Sequence, residues 1–104
     1  MYARVTTFKT KSSTWDDAVK AIEAQVSGRV SHNPAVRAGY WMGDKDKGKL
    51  VVVVVFDSEE ALHAAAGTAA QLRDLALQFG VEPEGVDELS VVAHVEHIDH
   101  LPEA

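Results

Sequence analysis

The chain has 104 residues, 46% hydrophobic and 25% charged, with a formal net charge of −6 and no cysteine. That is the profile of one globular domain spanning residues 1–104. It excludes disulfides, thiolate metal sites and a cysteine nucleophile, and its acidity argues against a nucleic-acid partner, which needs a concentrated basic surface.

Taken in order, Tyr2 to Lys9 reads as a strand, since Val5, Thr6, Thr7 and Phe8 are β-formers without a helical stripe. "KSST" breaks the pattern, and Thr14 with Asp17, or Ser13 with Asp16, resembles a capping box that opens a helix. Trp15, Ala18, Val19, Ile22, Val26 and Val30 then recur at three- and four-residue spacing as one apolar face. Gly28 and "SHNP" close the helix, because the residue before Pro34 is pushed away from helical geometry. "AVRAGYWMG" and the valine strand Leu50–Phe56 read as two strands of an antiparallel hairpin around the polar tip "DKDKGK". Asp57 or Ser58 caps a second helix with a stripe of Leu62, Ala65, Ala66, Ala69, Leu72, Ala76 and Phe79. Gly67-Thr68 is expected to divide that helix, and Gly80 to end it in a left-handed conformation. "VEPEGVDE" reads as a polar turn and "LSVVAHVEHI" as the last strand.

No apolar run approaches the roughly 18 residues of a membrane span. The start "MYARVTTF" has none of the segments of a signal peptide, so no membrane association and a cytoplasmic location are expected.

This order predicts an α+β, ferredoxin-like βαββαβ domain with a four-stranded antiparallel sheet and both helices on one face. Its first and third strands are central. The valine strand then presents Leu50, Val52, Val54 and Phe56 to one side and Val51, Val53 and Val55 to the other. The helices cover one side only. Leaving three valines in water would forgo roughly several kcal/mol at about 25 cal/mol per Å². A second copy of the same sheet is the expected cover, giving a homodimer through the sheet face.

"HNPAVRAGYW" and "VVVFDSEEAL" carry a family resemblance that extends over nearly the whole chain. The first resembles a Pro-Gly-aromatic-x-Gly lead into the second strand, with Pro34 and Gly39 kept and Ala35 and Val36 in place of the glycine and the aromatic. The second resembles a strand ending in an aromatic residue followed by Ser-x-Glu-Ala. The pattern is similar to the dimeric α+β barrel superfamily and, within it, the small antibiotic-biosynthesis-monooxygenase-like proteins. The resemblance implies two sheets packed face to face as a barrel. It also implies a range of activities, among them cofactor-independent oxygenation of polycyclic aromatics, haem degradation and isomerisation. The haem-degrading branch uses an Asn, a Trp and a His; this chain has Thr6 and Thr7, Phe56, and a His63 that comes too soon after Phe56. Haem degradation is therefore disfavoured.

Residues able to carry chemistry are few. Arg4 and Thr6 share a face with Tyr2 and Phe8 on a central strand, where polar groups have partners or line a cavity. Arg4 could bind an anionic or phenolate-like oxygen, or pair with Glu96 on the last strand. Tyr40 and Trp41 point to opposite sides and could line a site for a flat ligand. His63, the one histidine expected in the core layer, is the candidate general base. His94, His97 and His100 form "HVEHIDH", but on a strand His94 and His97 diverge, while His94 and Glu96 share a face.

Three functions follow in order of preference. The first is a non-catalytic, metabolite-binding or structural homodimer of undetermined activity with no cofactor and no metal. The second is a cofactor-independent monooxygenase-like enzyme acting on a small aromatic substrate. The third is a haem- or metal-binding dimer.

Overall fold

The computed structural model describes residues 1–25 and 32–95; of Gln25, Thr68, Ala69, Leu72 and Leu75 only the backbone is described. Strand β1 (Tyr2–Lys9) leads through a 3₁₀ turn at Ser12–Thr14 into helix α1 (Trp15–Gln25). Strands β2 (Val36–Asp44) and β3 (Lys49–Phe56) form the hairpin, followed by helices α2 (Glu59–Ala64) and α3 (Ala66–Leu77) and strand β4 (Glu82–Ser90). The four strands lie in the order β2-β3-β1-β4, every neighbouring pair antiparallel. This is the ferredoxin-like α+β fold, with β1 and β3 in the centre as the element order predicts.

Register fixes which side chains share a face. Phe8 lies opposite Leu50, Thr6 opposite Val52, Arg4 opposite Val54 and Tyr2 opposite Phe56. Phe8 and Leu50 are buried in one cluster with Ala18 of α1, Ala76 of α3 and Val81, so this set faces the helices. Ile22, Val52 and Phe79 pack around that cluster. Two indole rings seal the β2 side. A Cβ on Gly39 would come within 2.5 Å of the Trp41 ring, and one on Gly43 would come equally close to Trp15. Both rings therefore bring an edge against backbone that only glycine leaves bare.

The opposite face is formed by Val51, Val53 and Val55, flanked in register by Ala3 and Val5 on one side and by Tyr40 and Met42 on the other. Tyr40, Met42 and Leu89 are about half exposed there, at 57%, 49% and 54%. Among the described residues no element covers this face, and no helix is long and apolar enough to cross a membrane.

Local chemistry sets the ends of the elements. Asp44 Oδ1 accepts from the backbone N–H groups of Asp46 and Lys47, and Gly48 closes the hairpin tip at φ 63°. Ser58 Oγ accepts from Ala61 N–H at 3.1 Å, which caps α2 as expected of that serine. Gly80 takes φ 72° and ends the α3 segment.

Four expectations are corrected. The break between α2 and α3 falls at Ala65 (φ −86°, ψ 2°), ahead of Gly67-Thr68. Thr14 forms no capping box, since its buried Oγ1 has no hydrogen-bond partner among the described residues. "EPEGVDELS", expected largely as a turn, is β4 itself, while residues 91–95 form no strand. The displacement follows from where β1 begins. Tyr2 already pairs with Ser90, and Val91 N–H donates to Met1 O at 2.9 Å, after which no partner strand remains. Val26, Gly28, Val30 and Ser31, expected to finish and close the first helix, lie outside the described residues, as do His97 and His100.

Candidate functional site

On the helix side, β1 and its edge neighbour β4 meet α3 over a cleft of about 450 Å³. It is lined by Arg4, Ala66, Arg73, Val86, Asp87 and Glu88. That volume suits a small organic molecule. Alternation places Val86 and Glu88 on the helix face and turns the side chain of Asp87 toward the valine face.

Arg4 is the buried polar centre of this wall, only 7% exposed. Its Nη2 donates to Leu62 O at 2.9 Å and to Glu88 Oε2 at 3.0 Å, and its Nε donates to the same carboxylate oxygen at 3.3 Å. The guanidinium carbon stands 5.9 Å from the centre of the Phe56 ring, within cation–π range. Arg4 thus ties β4 to β1 and to the end of α2. The sequence reading offered Glu96 as its acid; the partner is Glu88, eight residues earlier, because β4 lies earlier.

The remaining candidates disperse. Thr6 is buried at 6%, one pair along from Arg4 and outside the cleft lining. Trp41 lies on the helix face over Gly39, and Tyr40 lies on the valine face, so the sheet separates the two within one protomer. His63 was expected in the core layer; the structure places it on the exposed side of α2, whose buried residue is Leu62. His94 follows the end of β4, outside any strand. Among the described residues no three His, Cys, Asp or Glu side chains converge to hold a metal ion.

Sequence reasoning missed Arg73. It sits on α3, half-buried, and aims at the cleft from the helix layer. Its helical spacing from Ala66 and Ala76, seven and three residues away, is the signal that could have found it.

No family model matches the chain, and no curated protein is similar to it in sequence. Solved structures do match in shape. One is the ActVA-Orf6 monooxygenase of Streptomyces coelicolor in complex with nanaomycin D, at TM-score 0.71 and 16% identity over 93% of this chain and 92% of that one. Another is a protein of Deinococcus radiodurans named as a candidate antibiotic biosynthesis monooxygenase, at TM-score 0.68 and 12% identity over 94% and 99%. A third is Rv0793 of Mycobacterium tuberculosis, at TM-score 0.58 and 20% identity over 91% and 98%. The chain therefore has, along nearly all of its length, the fold of antibiotic-biosynthesis-monooxygenase-like proteins, the structural neighbours that its sequence pattern resembles.

Proposed function

We propose that the protein is a homodimer, closed through the valine face, that binds a small organic molecule in the cleft between α3 and β4 of each protomer without chemistry of its own. The cleft, walled by a buried arginine, carries the reading. Charge buried at that depth is costly unless it serves a structure or a ligand, and Arg4 does so beside an open cleft of about 450 Å³. Among the described residues, Glu88 of the lining is engaged by Arg4 and His63 is exposed on α2, so neither is placed as a general base. The half-exposed Tyr40, Met42 and Leu89 around three valines support the dimer.

A second reading is favoured by the neighbours' names. In it the cleft holds an electron-rich aromatic that reacts with oxygen while Arg4 or Arg73 steadies its phenolate.

One experiment addresses both. The full chain is mixed with 1-hydroxy-2-naphthoate, and thermal midpoint and oxygen uptake are recorded together. A raised midpoint with no oxygen uptake above the protein-free control is the expected result. Protein-dependent oxygen consumption would establish the second reading. Neither response would remove the cleft as a binding site for this class. Sedimentation equilibrium of the same sample should give twice the chain mass.

A further inference from the structure

We infer that the ligand of the cleft is an organic acid with an apolar body, and that its carboxylate is held by Arg73. This deepens, and rests on, the reading that the cleft binds a small molecule.

The two arginines of the cleft are unequally engaged. Among the described residues the ion pairs are Arg4 with Glu88, Arg37 with Asp57 and Lys45 with Asp16. Arg73 belongs to none of them, although it lines the cavity from a half-buried position on α3. Glu88, the acid nearest in kind, spends its Oε2 on two donations from Arg4. Asp87 directs its side chain to the other face of the sheet. Among the described residues Arg73 is therefore the guanidinium of the lining that no ion pair engages. Guanidinium offers paired N–H donors that match a carboxylate, and such charge-assisted bonds are roughly twice as strong as neutral ones.

Arg4 is a poor second claimant. Its Nε and Nη2 are committed to Glu88 and to Leu62 O, so an incoming acid would first have to displace a carboxylate already in place. Apart from Asp87, the rest of the lining is apolar and open: Val86 is 44% exposed, and Ala66 presents only a methyl group. An acid on Arg73 would therefore lay its hydrocarbon part along Val86 and Ala66.

The test is a binding titration of the full chain with 1-hydroxy-2-naphthoate and with its amide, 1-hydroxy-2-naphthamide, on wild type, Arg73→Gln and the remote control Arg37→Gln. Wild type and Arg37→Gln should bind the acid at least about tenfold more tightly than the amide, and added salt should narrow the gap. Arg73→Gln should bind both alike, at the amide's affinity. Equal binding of acid and amide by wild type would overturn the acid assignment and leave the cleft as a ligand site. A preference that survives in Arg73→Gln would overturn the role of Arg73. Binding of neither compound would overturn this inference together with the reading beneath it. Circular dichroism and thermal midpoint of Arg73→Gln confirm that the fold is retained.

Discussion

The two ends of the Arg4–Glu88 pair differ in exposure, and that difference predicts an order of mutational cost. Arg4's side chain is 8% exposed and Glu88's is 44%. Glu88→Gln keeps a carbonyl oxygen to accept from Arg4, but it leaves a cation inside the protein without its counter-charge. Breaking a buried pair this way costs about 3–5 kcal/mol. Solvent at the carboxylate end screens the pair, so about 2 kcal/mol is expected here. Arg4→Met keeps the aliphatic stem and frees Glu88 to turn into water. It forfeits a charged donation to Leu62 O, worth about 1.5–3 kcal/mol, and a cation–π contact worth about 0.5–1 kcal/mol. The desolvation cost that Arg4 no longer bears, several kcal/mol in the handling of buried ions, offsets most of that loss. Leu62 O also keeps its bond from Ala65 N–H at 3.3 Å. The net cost of Arg4→Met is about 1 kcal/mol. Glu88→Gln should therefore be the more damaging change by about 1 kcal/mol, or roughly 4–8 °C in thermal midpoint for a domain of this size. Urea unfolding followed by circular dichroism, at one fixed protein concentration, measures both. If Arg4→Met proves as costly as Glu88→Gln or costlier, the argument from unequal exposure is wrong.

Three further outcomes are expected. Val53→Lys places a charge at the centre of the valine face, between Val5 and Tyr40, and should halve the molar mass in sedimentation equilibrium while leaving far-UV circular dichroism unchanged. Gly39→Ala should lower stability by about 1–3 kcal/mol and shift tryptophan emission, because its Cβ would sit 2.5 Å from the Trp41 ring, whereas Gly85→Ala meets nothing within 4 Å and should stay close to wild type. Ser58→Ala removes the cap on α2 and should cost about 1 kcal/mol, seen as faster hydrogen exchange in residues 59–64.

Most of the fold was legible in the sequence because its core elements advertise themselves. β1 and β3 are rich in β-formers; β1 has the expected bounds Tyr2–Lys9, and β3 begins one residue earlier than expected, at Lys49 of the hairpin tip. β4 was not legible for the opposite reason. All nine of its residues are exposed, four of them are acids, and Pro83 and Gly85 interrupt it. It is held by backbone pairing to β1, with a register irregularity beside Phe8 where Pro83 is tolerated, and backbone pairing leaves no periodic trace. The β-branched stretch "VVAHV" looked more like a strand, yet β1 ends before it can be paired. The same displacement hid half of the site. Arg4 was visible as a polar residue on a central strand, but its acid and the cleft beside it depend on β4. His63 misled because a six-residue helix with one buried leucine has too little periodicity to say which side faces inward.

The acidity of β4 also bears on how the chain avoids piling up on itself. A strand with one free edge is a template for another strand, and in-register addition can continue without limit into a fibre. Here that edge carries Glu82, Glu84, Asp87 and Glu88, with Pro83 lacking an N–H to offer. A copy laid alongside would bring rows of carboxylates within about 5 Å of one another. Edgewise growth is thus repelled, which leaves the greasy flank as the surface for the proposed dimer, where a single partner would exhaust the available area.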